Sequence, residues 1–373
     1  MVKLIKRIRG WCKKNIKIII LIIVLVTLTA IGGLRLKTEL TGDPNLGNKL
    51  KPSLNPTATP EPLEKFSLSG WIPYWRAKDG VEYVLNNPNI FDQVLLAWYQ
   101  IDKDFKLSRH NNIGEMPIEK LAAENQVYVT IGSDLKAEEF SKFLNNTERK
   151  ATFIGDVVDL LNEWNIEGVD IDWETITPGD KEQYLTLLQN LSEGLGDGTK
   201  LSVTVYAQTG KSDQYKWAEV YDLKRISGIA DQVRVMAYDL HNSVSGPGAI
   251  STFEWLREIT TYSLKSVDKT KLIIGMPSYG YVWKNGQGQG QGFQYDEFIE
   301  YAKENKLSLR GRDSESGEEI YESSDGGTVG YLSGAKAVKE KMDVVRRLGI
   351  NKFTIWHLGG TDLNLLHPLD EFY

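Results

Sequence analysis

Near the middle of the chain, the run Ile166 to Glu174 (Ile-Glu-Gly-Val-Asp-Ile-Asp-Trp-Glu) sets three carboxylic acids on alternate positions. In a β-strand alternate side chains share a face. Asp170, Asp172 and Glu174 then project together, and Val169, Ile171 and Trp173 project the other way. At a rise of ~3.3 Å per residue, neighbouring carboxyls on that face stand about 6 to 7 Å apart. Groups this close resist joint ionisation, so one keeps its proton to higher pH and can serve as a general acid. An ordinary core would not accept the strand, because unpartnered buried charge is strongly destabilising. The inner wall of a barrel, with helices on the apolar face and a site at the strand's C-terminal end, accommodates it. Two other readings of these residues stay open: an acidic edge strand, and an Asp-x-Asp pair holding a divalent metal beside a nucleotide-sugar phosphate.

The elements around the run narrow the choice. From Phe66 to Tyr373 short apolar runs alternate with helical segments. Eight strands are predicted, at Leu68–Tyr74, Gln93–Tyr99, Val127–Gly132, Gly168–Trp173, Leu201–Tyr206, Gln232–Tyr238, Leu272–Tyr279 and Lys352–Leu358. Amphipathic helices fill most intervals. In Ile154–Trp164 the apolar residues Ile154, Val157, Val158, Leu160, Leu161 and Trp164 recur near the helical period. Lys181–Leu195 and Ala335–Leu348 behave alike. The pattern predicts an α/β fold, a (β/α)8 TIM barrel over 67–373. An open doubly wound sheet is the alternative, weakened by the lack of a Gly-rich turn after the first strand. The long interval between strands seven and eight predicts a small α+β insertion at about 284–333. In it Gly286–Gly292 reads as a flexible loop, Asp296–Asn305 as a short helix, and Glu319–Tyr321 and Thr328–Tyr331 as short strands.

The predicted strand ends are rich in aromatic residues. Trp71, Tyr74 and Trp75 come from the first, Trp98 and Tyr99 from the second, and Tyr206 and Tyr238 from the fifth and sixth. Tyr279, Tyr281 and Trp283 follow the seventh, and Trp356 is on the eighth. Sugar rings present apolar C–H faces that pack on aromatic faces, so such a mouth suits an oligosaccharide.

These motifs together resemble family 18 glycoside hydrolases, the chitinase family. Gly168 to Glu174 is similar to the D-G-x-D-x-D-x-E signature, and Met236-Ala237-Tyr238-Asp239 to the M-x-Y-D motif of the sixth strand. Tyr221-Asp222-Leu223, Gly275-Met276-Pro277-Ser278-Tyr279-Gly280 and Trp356 match in order. His241, the Gly246-Pro247-Gly248 turn and Trp356-His357-Leu358-Gly359-Gly360 are most similar to bacterial members linked to peptidoglycan or spore cortex. There are two departures. Glu167 replaces the first Asp of the signature, and Thr130-Ile131-Gly132-Ser133 stands where the family has S-x-G-G.

The resemblance implies a retaining hydrolase whose nucleophile is the substrate's own 2-acetamido oxygen, an exception among glycosidases. Glu174 would be acid and then base. Asp172 would orient the acetamido group, with Asp170 holding Asp172. Tyr238 would donate to the acetamido carbonyl. Met236 and Asp239 would line the sugar subsite and Trp356 would floor it, with Tyr279, Tyr206, Trp98, Trp75 and Tyr74 as further sugar contacts. No cofactor or metal is expected, and His110, His241, His357 and His367 lack ligand spacing. The substrate would be a β-1,4-linked N-acetylglucosamine glycan of peptidoglycan or chitin type. Two competing functions are a lectin-like surface protein on the same barrel and a metal-dependent glycosyltransferase using Asp170 and Asp172.

The first 65 residues bear on location. Residues 1–17 carry seven cations and no acid, and Ile18 to Leu34 has no charge. A helix over these 17 uncharged residues spans about 25 Å against a ~30 Å hydrocarbon core. The expectation is a basic cytoplasmic tail (1–17), a transmembrane signal anchor (18–35) in the lipid bilayer and a Pro/Thr-rich linker (36–66). The barrel would then stand outside the cell membrane. A cleaved signal peptide, ending near Ala30-Ile31-Gly32, would instead release it. Cys12 is the only cysteine, so the barrel has no disulfide. With the seven tail cations set aside, 37 Lys and Arg face 50 Asp and Glu. That balance argues against a nucleic-acid partner. A monomer is expected.

Overall fold

A computed structural model describes residues 66–111, 113–211, 216–285, 289–362 and 364. All eight predicted strands form. The first are β1 (Ser67–Pro73) and β2 (Gln93–Ile101), followed by a short returning strand β3 (Leu107–Arg109). Then come β4 (Gln126–Ser133), β5 (Gly168–Ile171), β6 (Lys200–Tyr206), β7 (Gln232–Met236) and β8 (Leu272–Pro277). Five strands of a second sheet follow: β9 (Tyr279–Lys284), β10 (Gly290–Gln294), β11 (Ser308–Arg312), β12 (Glu319–Glu322) and β13 (Thr328–Leu332). The chain returns to the first sheet in β14 (Lys352–Trp356). The parallel order β1-β2-β4-β5-β6-β7-β8-β14 closes through pairing of β14 with β1, a (β/α)8 barrel.

Alternation along the strands sorts the side chains. Val169 and Ile171 of β5 and Leu201, Val203 and Val205 of β6 are buried in the layer between strands and helices. Trp173 extends this layer, its ring 5.2 to 6.1 Å from those of Phe140, Phe143, Phe153 and Tyr184. The opposite parity faces the barrel interior, where a polar set from β4 to β7 meets the buried Trp71, Leu95 and Tyr128. Thr130, Asp170 and Ser202 pair in register across β4, β5 and β6, and Thr204 pairs with Arg234 of β7. Most barrels fill this space with branched apolar residues.

Local signals start and stop the helices. Asn146 accepts the Arg149 N–H to begin Thr147–Trp164, and Asn165, in the left-handed conformation, ends it. Asp222 caps Leu223–Ile229 and Thr252 caps Phe253–Ser263. The span predicted at Ile18–Leu34, the tail before it and the linker lie outside the described residues, and no helix among the described residues is long and apolar enough to cross a membrane.

The insertion differs from expectation in three ways. It begins at Tyr279, not near residue 284, because β8 ends at Pro277 and the next residue, Ser278, whose N–H bonds to the Trp356 carbonyl at 2.9 Å, leads directly into β9. It also holds strands that were not foreseen, β9 and β11, in a five-stranded antiparallel sheet. Finally, part of the expected flexible loop is the strand β10, paired with β9. Its glycines answer a steric need, since a Cβ on Gly290 would come within 2.5 Å of the Trp283 indole nitrogen. The insertion's helix forms at Tyr295–Glu304.

Candidate active site

The three acids leave β5 in order and meet different surroundings. Asp170 lies inside the barrel and is wholly buried. Its Oδ1 accepts from Ser202 Oγ at 2.7 Å, and its Oδ2 accepts from Thr130 Oγ1 at 3.0 Å and Trp71 Nε1 at 3.3 Å. Thr204 Oγ1 reaches both oxygens. The strand ends at Ile171, yet the Asp172 N–H still bonds to the Ile131 carbonyl at 3.1 Å, which carries the alternation onward. Asp172 Oδ1 is shielded from solvent and has no hydrogen-bond partner among the described residues. Burial, then the charge of Glu174, then that of Asp170 hold the Asp172 carboxyl well above the usual carboxylate range. Glu174 emerges at the mouth, where Tyr206 donates to its Oε2 at 2.6 Å.

Asp172, Glu174, Tyr206, Met236, Tyr238, Asp239 and Trp356 line one cavity of about 290 Å³, with Trp217 and Asn242 on its rim. Tyr238 sits against Gly275, where a Cβ would come within 2.9 Å of its ring, so the residue opposite has no side chain. Burial, then the charges of Asp172 and Glu174, keep the Tyr238 phenol protonated, as a donor. Asp239 stands in the left-handed region, at φ 64°, a conformation Asp tolerates better than most residues. Tyr279 donates to its Oδ1 at 2.5 Å and Tyr281 at 3.1 Å. Burial raises the Asp239 carboxyl, and these two hydroxyls oppose the rise.

A second cavity of about 260 Å³ adjoins the first and shares Asp239 and Trp356 with it. Trp75, Tyr279, Tyr281 and His357 line it, with Arg76 and Glu297 at its edge. Trp75 is 53% exposed, its ring centre 6.2 Å from that of Trp356. The two cavities form one groove with Trp356 at its waist.

The structure therefore gathers Glu174, Asp172, Tyr238, Trp356, Met236, Asp239, Tyr279, Tyr206 and Trp75 at the groove. Tyr74 lies behind it, stacked on His110 with ring centres 3.7 Å apart. Trp98 is a correction. It is wholly buried in the helix-facing layer, its ring 6.4 Å from that of Trp164. Trp98 has the same parity as Val94 and Leu96, which are buried in the same layer. The β2–β4 register slips by one residue here, so Ala97 pairs with Thr130 and Tyr99 with Ile131. This bulge turns Tyr99 onto Trp164 as well. Among the described residues Asp170 accepts from Trp71, Thr130, Ser202 and Thr204, and no hydrogen bond joins it to Asp172. It acts on Asp172 through charge. The departure Glu167 sits before β5, away from the groove, where it accepts the Val127 N–H.

Sequence reasoning missed Trp217, Asn242 and Arg234. Trp217, 48% exposed, had one signal, a tryptophan isolated in the polar stretch Ser212 to Glu219. Arg234 had a clearer one, a cation between Val233 and Val235 in a strand.

The sequence profile of glycosyl hydrolases family 18 matches residues 69–361. The chain belongs to that family. Among curated relatives, an uncharacterized glycosylase, YvbX of Bacillus subtilis (strain 168), is 30% identical over 153 residues, 40% of this chain and 44% of the relative. Chitinase A1 of Niallia circulans is 24% identical over 77% of this chain and 48% of its own length. This family 18 chain thus spans about half the length of curated relatives it matches. Among solved structures, the Bacillus cereus spore cortex-lytic enzyme SleL shares the fold with a TM-score of 0.73 at 18% identity, over 83% of this chain and 74% of that one.

Proposed function

We propose that this protein hydrolyses β-1,4 linkages in N-acetylglucosamine-containing glycans by a retaining, substrate-assisted mechanism. The observation that carries the reading is one cavity lined together by Glu174, Asp172, Tyr238, Asp239 and Trp356. Glu174 gives its proton to the glycosidic oxygen as the bond to C1 breaks and the acetamido oxygen closes on C1. Asp172 and Glu174 share one proton, so its delivery leaves Asp172 anionic while the oxazolinium charge develops. Tyr238, kept protonated by burial, donates to the acetamido oxygen and orients it. Water then opens the ring from the same face, returning its proton to Glu174, and the anomeric configuration is retained.

Peptidoglycan is favoured over chitin by the resemblance of His241, the Gly246–Gly248 turn and Trp356–Gly360 to bacterial cell-wall members. The charge-free run Ile18–Leu34 behind a basic tail supports anchoring in the cell membrane with the barrel outside. The test is incubation of the full chain, in detergent, with chitooligosaccharides and with purified peptidoglycan, beside Glu174→Gln, with products read by mass spectrometry. New reducing ends from the wild type alone are expected, and the polymer cleaved names the substrate. Binding without cleavage by either protein would refute the reading and leave a lectin on this barrel.

A further inference from the structure

Arg234 projects from β7 into the barrel and is wholly buried. A guanidinium at this depth is strongly destabilising unless its donors and its charge are both answered. Its donors are answered by neutral groups. Nη1 reaches Ser69 Oγ at 2.8 Å, and Nη2 reaches Gln93 Oε1 and Gln232 Oε1, each at 2.6 Å. Nε reaches Ser202 Oγ at 2.9 Å. Its charge is answered by Asp170, whose Oδ1 is 3.9 Å from Nε and equally buried. The mechanism above gives Arg234 no part.

The direction of these hydrogen bonds decides where protons can sit. Arginine only donates. Ser202 Oγ must therefore accept from Arg234, which turns its one hydrogen toward Asp170 Oδ1 at 2.7 Å. An indole N–H also only donates, so Asp170 Oδ2 accepts from Trp71. Thr130 and Thr204 add further donors. Each Asp170 oxygen therefore accepts from a donor whose direction is fixed, Oδ1 from Ser202 and Oδ2 from Trp71. Asp172 has the reverse supply, with a shielded Oδ1 that meets no donor.

We propose that Arg234, acting through Ser202, is a positioning residue that holds Asp170 as a fixed anion and so confines the site's mobile proton to Asp172 and Glu174. The other titratable groups that face Asp170 fit this role. Tyr128 on β4, Tyr184 on the helix Lys181–Leu195 and Tyr238 beyond β7 are all kept protonated, chiefly by burial, Tyr128 being pushed up to about 12. Asp172 is then the acid that feels Asp170's charge, and that charge contributes to keeping its proton on. The proposal relies on the hydrolase reading only for its kinetic consequence.

The experiment labels the aspartate carboxyl carbons of the full chain with ¹³C and follows them by NMR against pH. Asp170→Asn and Asp172→Asn assign the two signals. In the wild type the Asp170 signal is expected to stay at its ionised position across the titration while that of Asp172 moves. In Arg234→Gln the Asp170 carboxyl takes up a proton. Its repulsion of Asp172 is lost, and the Asp172 midpoint falls by about one unit, tenfold in proton affinity. Arg234→Lys, which keeps the charge, restores most of that fall. Ser202→Ala keeps the Arg234 charge but removes the 2.7 Å donor to Asp170 Oδ1, so Asp170 is held less firmly as an anion and the Asp172 midpoint should fall by a smaller step. It stands in for Arg234→Gln if that variant does not fold. Where turnover is measurable, the alkaline limb of kcat/KM moves with the Asp172 midpoint, whereas a merely structural defect lowers the rate at every pH alike. An Asp170 signal that titrates alongside Asp172 in the wild type would overturn the proposal. So would an unchanged Asp172 midpoint in whichever of the two variants folds. Both readouts need no turnover, so they stand apart from the outcome of the hydrolysis test.

Discussion

Replacing Tyr206 by Phe removes one hydroxyl and leaves the ring that packs beside Tyr221. That hydroxyl donates to Glu174 Oε2 at 2.6 Å, a short contact of the charge-assisted kind. Burial, followed by the charge of Glu174, raises the Tyr206 phenol far above its ordinary range, so it remains a donor at any working pH. A hydrogen bond to a charged group contributes about 1.5 to 3 kcal/mol, and it favours the ionised carboxylate over the neutral acid. In the bond-breaking step Glu174 passes from acid to anion. With the proton roughly half transferred, the transition state loses about half that interaction, on the order of 1 kcal/mol, and kcat falls roughly five- to tenfold. Glu174→Gln should by contrast abolish turnover. The assay is steady-state hydrolysis of a chitooligosaccharide across pH, with KM and kcat taken separately. An unchanged kcat, or a change confined to KM, would refute the argument that Tyr206 acts through the acid.

Two tryptophans test the correction made by the fold. Trp98→Ala should cost about 3 to 5 kcal/mol of stability, read by denaturant unfolding, and leave KM alone, because the ring is core. Trp217→Ala should barely change stability and should raise KM roughly tenfold, about 1.4 kcal/mol of lost stacking. His357 is buried beside Trp356 and pushed down to about 4, first by burial and then by Arg76, against the opposing pull of the Leu358 carbonyl. A His held neutral in the fold contributes stability that is full above about pH 6.5 and is lost as pH falls toward 4, a decline of about 3 kcal/mol. His357→Gln should flatten that decline in unfolding midpoints measured across the window. The buried pair Lys341–Glu318, 2.6 Å apart, ties the helix Ala335–Arg346 to the insertion, and Glu318 also accepts the Ile250 and Ser251 N–H groups. Glu318→Gln should cost about 3 to 5 kcal/mol in thermal unfolding, and adding Lys341→Met should recover part of it.

How much of this was legible in the sequence depended on which physical signal each residue gave. The eight strands could be read because β/α alternation repeats over the chain, and Glu174, Asp172 and Asp239 because carboxylates beside a buried strand have few structural uses. Trp98 was misread because an aromatic at a strand end suggests a sugar platform, while its parity with Val94 and Leu96 places it with the helices. The bulge at that point, which also turns Tyr99 outward, leaves no mark in composition. β10 was misread because glycine is equally the residue of a loose loop and of a strand lying flat on Trp283. Trp217 and Asn242 reach the cavity from connections whose path only the folded chain reveals.

Three acids of nearly the same intrinsic strength do different work here because the supply of hydrogen-bond donors differs along one strand. Asp170 has four neutral donors and a buried guanidinium within ion-pair distance. Asp172, two residues on, has passed beyond that ring of hydroxyls into a space that offers its Oδ1 nothing. Glu174, two further, has reached the mouth, where one phenol and the solvent meet it. The alternation that puts all three on one face also spaces them from full satisfaction to open water. The middle acid is therefore placed to keep a proton it can surrender. Within the barrel, Ser69, Thr130, Ser202, Thr204 and Arg234 stand beside Trp71, Leu95 and Tyr128 at positions where most barrels place branched apolar residues, and that polar set is what makes the gradient.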